Sequence, residues 1–497
     1  MKPLSNIILI GLGPHAKRIY FPFIEMIAND WNLNLAVVVD LEACRTDMEA
    51  YLHGRALRPK LITIKEKQQT YDELNPEVRI LMDTLVEQER IDIVIIASEP
   101  LTHVMYAKWA LANGLSVLMD KPVSTHTDIS TEGHLARQLV QDYEDLSTLY
   151  ERARQANPRL CFAMMVQRRY QTSFNLIRDR LQDCFAQTNC PVTNIQSFHS
   201  DGQWRMPTEM VDQLYHPYMQ GYGKCSHSGY HYFDIVPFLL EAAASPEKNV
   251  DNMDVYSNFV RPNDFMAQLT TADHEKLFGS ENFGMYNKYS DDQFATLASK
   301  FGEVDAFCNL SFKKGRRVIT VASINLCHNG FSTRDWVTAE GRDLYQGNGR
   351  VGHEAHVIQQ GPFQTLHFHS YKSKENVANA RQAGGKEHLE IFIFRNHKMI
   401  GGLPVEKLDL DAIQALEQPL SDMRDKAKAK VIMDFLRAHR GEVPQEELCT
   451  DFRRSRPAVR IAAAIYESAA AAFHGSNQII NAPFCLEPIA PIRKPNK

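Results

Sequence analysis

The sequence predicts an α/β chain, with a doubly wound parallel sheet over the first 170 or so residues and an α+β remainder built on a large, mostly antiparallel sheet. Three observations predict it. In the first third, apolar runs alternate with helix-period segments, the sequence form of a parallel sheet covered by helices. A glycine-rich turn directly follows the first of these runs. Beyond residue 170, strand-like runs follow one another with few helices between them.

The chain has 497 residues, enough for two domains of which one is oversized. Hydrophobic residues make up 44% and charged residues 23%, the balance of a globular protein, which excludes disorder, collagen and a disulfide scaffold. With 55 Lys and Arg against 60 Asp and Glu, the net charge of -5 provides no positive field for phosphate backbones or anionic lipid. Nucleic acid and membrane are therefore excluded as main partners. No apolar stretch is long enough to span a bilayer and Met1-Lys2-Pro3-Leu4 leads into no export pattern, so the expected location is cytoplasmic. Nine scattered cysteines, none spaced C-x-x-C, read as reduced thiols that mostly fill the core.

In chain order, Asn6 to Ile10, Leu33 to Val39, Asp92 to Ala97 and Ser116 to Met119 read as buried strands. The stretch between Leu41 and Arg90 exceeds one crossover and carries polar patches, which predicts an insertion. A helix is expected over Thr131 to Gln155, with Leu135, Leu139, Leu146 and Leu149 on its apolar face, then a strand over Leu160 to Val166 that closes the first domain near residue 170. Further strands are expected at Val192 to His199, Val304 to Phe312, Arg317 to Ile324, Gln364 to Ser370 and Leu389 to Phe394. Ser421 to His439 and Arg454 to Phe473 read as helices, whereas Asp251 to Glu303 shows no readable period.

Gly11-Leu12-Gly13-Pro14-His15-Ala16 follows the first strand as G-x-G-x-x-A. Gly11 permits a tight turn, Gly13 permits backbone approach to a pyrophosphate, and Ala16 permits close helix packing, so this is a dinucleotide signal. Asp40 ends the second strand, where a carboxylate accepts hydrogen bonds from ribose hydroxyls and repels an extra phosphate. NAD is thereby favoured, while Arg45 keeps NADP open.

Two more stretches, Ala97-Ser98-Glu99-Pro100-Leu101-Thr102-His103 and Gly114-Leu115-Ser116-Val117-Leu118-Met119-Asp120-Lys121-Pro122, join the glycine turn in a pattern that resembles the glucose-fructose oxidoreductase / inositol dehydrogenase / MocA family. Tyr20-Phe21-Pro22 in the first helix and Met164-Met165-Val166-Gln167-Arg168-Arg169-Tyr170 are similar to that family too. Its second stretch ends Glu-Lys-Pro, so Asp120 departs mildly, and Lys121 falls on its nicotinamide-ribose and substrate lysine. Ser226-His227-Ser228-Gly229-Tyr230-His231-Tyr232-Phe233-Asp234 resembles its D-x-G-x-H-x-x-D, with His227 at the usual aspartate. The likeness spans residues 1 to about 240 and about 445 to 475, the latter including Ala458 to Ser468. It implies a Rossmann domain, cofactor contacts from Gly11, Gly13, Pro14, His15, Ala16, Asp40, Ser98, Glu99, His103, Asp120, Lys121 and Arg168, and a substrate held between the domains. It also implies dimers or tetramers paired through open sheets.

If residues 226 to 234 open a helix, His227, His231 and Asp234 lie near one face and border one pocket, with Pro237 compatible only in the first turn. Oxidation of a secondary alcohol needs a group that takes the hydroxyl proton, and an imidazole such as His231 suits that task. Lys121 beside a cationic nicotinamide orients the substrate and shares the proton. His227 lacks the fixed negative charge of an aspartate. No metal site is expected: His353-Glu354-Ala355-His356 is not H-E-x-x-H, and His367 with His369 lack a third ligand. Tyr215-His216-Pro217-Tyr218, Trp204 and Arg205 are candidates for shaping a sugar site, with loop anchoring as the alternative. The expected function is NAD(P)-dependent hydride transfer at a carbinol carbon of a sugar, inositol or similar polyol. The rivals are a catalytically inactive dinucleotide-binding regulator, favoured by His227, and an NAD-dependent redox-neutral glycoside hydrolase.

Overall fold

The computed structural model describes residues 4–68, 70–337, 349–373, 379–416 and 426–486. Six strands, β1 (Ser5–Ile10), β2 (Leu33–Leu41), β3 (Lys60–Ile64), β4 (Ile91–Ile96), β5 (Ser116–Met119) and β6 (Phe162–Met164), form a wholly parallel sheet in the order β3-β2-β1-β4-β5-β6. This is the doubly wound order in which the chain reverses direction between β1 and β4. The helices are α1 (Pro14–Arg18), α2 (Tyr20–Ile27), α3 (Arg45–Leu52), α4 (Pro76–Glu89), α5 (His103–Ala112) and α6 (Gly133–Ala156).

The segment from Leu41 to Arg90 is not an insertion. It holds α3, β3 and α4, which are two ordinary crossovers around the edge strand of the sheet. Its polar appearance has a physical cause: β3 is an edge strand in which Lys60 is exposed and only Ile64 is fully buried, so it lacks the continuous apolar run of a central strand. Asn75 caps α4 by accepting from the Glu77 amide (3.0 Å), and Arg90 closes it at φ +50°.

Every residue of β1 is buried, and the two-residue period sends Ile8 and Ile10 to one face, Ile7 and Leu9 to the other. The first face packs under α4, α5 and α6. The second packs under α2, α3 and a helix from far along the chain, Lys426–His439, through Val431, Ile432, Phe435 and Leu436. The expected division at residue 170 therefore does not separate the packing: a segment from the last quarter of the chain completes the first sheet.

After α7 (Thr172–Thr188) the chain builds a nine-stranded sheet in the order β14-β13-β12-β11-β7-β10-β9-β8-β15. Its strands are β7 (Asn194–Ser200), β8 (Asn252–Val260), β9 (Asp305–Lys314), β10 (Arg317–Cys327), β11 (Val351–Gln360), β12 (Gln364–Ser373), β13 (Glu390–Arg395), β14 (Val405–Asp409) and β15 (Ile480–Pro483). All pairs are antiparallel except β7 with β10. Between them lie α8 (Pro207–Asp212), α9 (Tyr230–Leu240), the short helices α10 (Pro262–Gln268), α11 (Thr271–Phe278), α12 (Ser280–Tyr286), α13 (Asp291–Leu297), α14 (His397–Ile400) and α15 (Leu410–Ala415), then α16 (Lys426–His439) and α17 (Arg456–Phe473). The helix expected from Ser421 begins at Lys426 in the described residues; residues 421–425 lie outside them. The unreadable Asp251 to Glu303 contains β8 and four of the short helices. The His353 to His356 tetrapeptide lies on β11.

The inner face of this sheet packs on α9 and α17. Ser257 on β8 is tied to α17 by its amide on Ser468 Oγ (2.8 Å) and its hydroxyl on the Ile465 carbonyl (2.6 Å). A π-turn over Cys225–Gly229 leads into α9, whose every residue is buried. Pro237 stands in the interior of α9 and not in the first turn, so the helix lacks the bond to the Phe233 carbonyl. Asp234 also departs from the expected pocket. It turns to Arg169, accepting from Nε (2.9 Å) and Nη2 (2.6 Å), while Arg169 also donates to the carbonyls of Cys449 (2.8 Å) and Arg454 (3.0 Å). No helix of the described residues is long and apolar enough to cross a membrane. None of the nine cysteines is in a disulfide.

Asp234→Ala is expected to cost about 3 kcal/mol or more of stability, because it leaves a buried guanidinium uncompensated. Urea unfolding of the full chain checks this; a loss below about 1 kcal/mol, typical of an exposed pair, would show that the contact does not hold α9 in place.

Candidate active site

A cleft of about 1040 Å³ opens along the carboxyl ends of the parallel strands, where the sheet reverses order, and continues under the second sheet. Gly11 adopts φ +90°, and a Cβ there would come within 2.7 Å of the Ala97 and Ser98 backbone. Only glycine fits. A Cβ on Gly13 would meet nothing within 4 Å, so that side of the turn is open to the cleft. Asp40 Oδ2 accepts from the Leu12 amide (2.7 Å) and Oδ1 from the Leu41 amide (2.8 Å), which fixes the carboxylate at the cleft with lone pairs to spare. Val39, Ile64, Leu74 and Met105 add an apolar wall beside it. An open glycine turn, an oriented carboxylate and an apolar slot fit the pyrophosphate, ribose and adenine of a dinucleotide.

At the other end, Asp120 and Lys121 follow β5, Gln167 follows β6, and His227 and His231 come from the π-turn and α9. Lys121 Nζ donates to the His227 carbonyl (2.5 Å), joining the two sheets' contributions. His231 Nε2 and Gln167 Nε2 lie 3.2 Å apart, so the Gln167 amide holds the ring. His227 is buried, neither ring nitrogen has a hydrogen-bond partner among the described residues, and its ring packs on His216 at 4.2 Å between centroids. Burial holds both His227 and His231 neutral, their pKa values well below the usual 6.5, with Lys121 adding to the effect. His15 lies across the cleft, 3.5 Å from Asp120, and burial lowers it to about 4.

Behind the histidines, Asp201 at the end of β7 joins Lys224, Arg350, Ser228 (3.0 Å) and His328 (3.4 Å) in one buried cluster. Lys224 and Arg350 hold the Asp201 carboxyl well below the usual carboxylate range against the opposing effect of burial. The Tyr218 hydroxyl and His328 Nδ1 share a hydrogen bond of 2.6 Å.

Of the residues expected from sequence, Gly11, Gly13, Pro14, His15, Asp40, Ser98, Glu99, Asp120, Lys121, His227 and His231 all line the cleft. Three do not. Ala16 is fully buried beneath the turn. His103 is buried between the carbonyls of Pro122 (2.8 Å) and Ser98 (3.2 Å), so it fastens two loops to each other. Arg168 is engaged by Glu354 and by the Tyr232 hydroxyl (2.8 Å). Arg45 is likewise bound, to Glu42 at 2.7 and 3.1 Å. Sequence reasoning missed Ser228, which sits beside His227 in the π-turn, and Asp201, His328, Arg350 and Lys428, which reach the cleft from strand ends and a distant helix. Only the Asp201-Gly202 pair at a strand end carries any local signal. Among the weighed residues, Arg205, Tyr215 and His216 line the cleft, whereas Trp204 packs on Phe278 and His274 away from it. Among the described residues no cluster of side chains is arranged to hold a metal ion.

Residues 32–156 match the model of an oxidoreductase family with an NAD-binding Rossmann fold, a span that contains Asp40, Glu99 and Lys121. No curated protein sequence matches the chain. Three solved structures are similar over nearly all of both chains. An oxidoreductase from Agrobacterium radiobacter in complex with NAD+, L-tartaric acid and magnesium has a TM-score of 0.55 at 12% identity, covering 97% of this chain and 98% of its own. Aldose-aldose oxidoreductase from Caulobacter crescentus complexed with glycerol has a TM-score of 0.55 at 12% identity, covering 97% and 100%. A levoglucosan dehydrogenase in complex with NADH and L-sorbose has the same values, 0.55, 12%, 97% and 100%. At such identities the likeness establishes the fold.

The buried histidines set a pH dependence of stability. In the unfolded chain they bind protons near pH 6.5. In the folded chain His15 does so only near 4, and His199 and His216 near 3, because burial opposes their charge. The unfolded state therefore binds more protons below pH 6.5, and the stability present above that value is lost as pH falls towards 3. Thermal melts between pH 7.5 and 4.5 should show a steady fall in Tm; a Tm that held constant or rose on acidification would contradict it.

Proposed function

The N-terminal domain being that of an NAD-binding oxidoreductase family, we propose that the protein transfers hydride between NAD and a carbinol carbon of a sugar, inositol or similar polyol. The observation that carries this reading is the convergence of Lys121 and His231 on the cleft that also holds the glycine turn and Asp40. Bound NAD supplies the hydride acceptor. Gly11 and Gly13 bring backbone to the pyrophosphate and Asp40 takes the ribose hydroxyls. His231, neutral at working pH, takes the proton that the carbinol oxygen releases as the hydride leaves. Lys121 steadies the negative charge that develops on that oxygen. The polar walls made by His216, His227 and Ser228 receive the remaining hydroxyls.

NAD is preferred to NADP because Asp40 faces the cleft while Arg45 is bound to Glu42. Assembly into dimers or tetramers uses the outer face of the nine-stranded sheet, where Tyr256, Phe307 and Val321 are exposed.

The test is absorbance at the reduced-nicotinamide band with NAD and a panel of sugars, inositols and sugar acids. Lys121→Ala and His231→Asn are each expected to lower kcat/KM by about 10²- to 10⁴-fold, the span of acid-base and electrostatic contributions, with the NAD Kd of the His231 variant unchanged. NAD binding without turnover of any compound would replace this reading with a regulator. Titration should also show NAD binding at least about tenfold tighter than NADP, and Asp40→Ser should narrow that ratio. An equal affinity of wild type for both would remove Asp40 as the determinant.

A further inference from the structure

Arg205 is a buried cation of the cleft to which the proposed hydride transfer gives no task. It is 4% exposed and lines the cleft beside Gln203 and Arg350. Nη2 donates to Gln203 Oε1 (2.7 Å), while Nε is buried without a partner and Nη1 makes no hydrogen bond among the described residues. No carboxylate among the described residues lies within ion-pair distance of it. The nearby acids are already taken: Asp201 by Lys224 and Arg350, and Glu209 by both arms of Arg334 at 2.6 and 2.7 Å. Buried charges are paired or hold a ligand, because an uncompensated guanidinium is costly away from water. Among the described residues no acid answers the charge of Arg205, which leaves its fork open to an anion from the cleft.

We infer that Arg205 is a specificity residue that binds the carboxylate of an acidic, polyhydroxylated substrate. The inference rests on the oxidoreductase reading and narrows its substrate class to sugar acids. The Nη1 arm, which has no hydrogen bond among the described residues, can donate to a carboxylate oxygen in a charge-assisted bond. Gln203, which it bonds, and the nearby His328 are neutral hydrogen-bonding side chains suited to hydroxyls, and the neighbouring Arg350 and the Lys224 behind it are spent on Asp201 instead of being available to balance a phosphate dianion. The carboxylate would sit at the second-sheet end of the cleft, leaving the carbinol to Lys121 and His231.

The test is calorimetric titration of the full-length, NAD-loaded protein with aldonates and uronates, each paired with its neutral aldose and with the corresponding sugar phosphate. At least one acid should bind on the order of tenfold or more tightly than its neutral partner. Arg205→Gln should abolish that advantage and Arg205→Lys should keep part of it, with the NAD Kd unchanged in both. Equal binding of acid and neutral sugar, no binding of any acid, a sugar phosphate that outcompetes the acid, an advantage that survives in Arg205→Gln, or a weakened NAD Kd would each overturn the assignment. Should Arg205→Gln fail to fold, the wild-type ratio of acid to neutral sugar and the Arg205→Lys protein decide the question. Loss of NAD binding in wild type would instead overturn the oxidoreductase reading, so the two failures are told apart.

Discussion

Arg169 and Asp234 form the contact on which the placement of the candidate site residues depends. Arg169 follows the last strand of the parallel sheet by five residues, and Asp234 lies one helical turn beyond His231. Their bond joins the end of one sheet to the helix that carries chemistry from the other half. Arg169 also takes the Cys449 and Arg454 carbonyls, so the start of α17 is drawn to the same point. A buried ion pair is a poor source of net stability, but removing one partner is severe, which makes it an effective registration device. With Asp234 fixed, the π-turn before α9 places His227 and His231 over Lys121. Gly229 is required there, since a Cβ would meet the Lys224 carbonyl and Leu326 at 2.7 Å.

The parallel sheet was largely legible because β1, β2, β4 and β5 are buried on both faces, so each reads as a continuous apolar run. β3 was illegible for the complementary reason, being an edge strand with partial burial. β8 and β11 were missed because one face of each meets solvent or polar neighbours, which dilutes a short run to an alternation that His353, Glu354 and His356 disguise further. The role of α16 in covering the first sheet could not be read locally, since its apolar face specifies burial but not against what. The site divides the same way. Residues within contiguous motifs were found, whereas Asp201, His328, Arg350 and Lys428 meet only because distant strand ends and a helix converge.

The helical period placed His227, His231 and Asp234 together, and here the π-turn matters. An extra residue in the turn changes the phase between 227 and the residues that follow. His227 and His231 keep the cleft, and Asp234 rotates to Arg169. A motif spacing therefore carries its functional meaning only with the backbone geometry that supports it.

His227 in place of an acid also shifts where negative charge resides. The carboxylate at the second-sheet end of the cleft is Asp201, held ionised by Lys224 and Arg350. An aspartate at 227 would stand among His216, His328 and Lys121, raising the proton affinity of the rings that burial keeps neutral. A neutral imidazole there adds no negative charge, and burial, with Lys121 and Lys224, keeps the ring uncharged at physiological pH. The field of Lys121 also disfavours protonation of His231. The same field favours a negatively charged guest, which ties the departure at residue 227 to the guanidinium of Arg205, without an ion pair among the described residues.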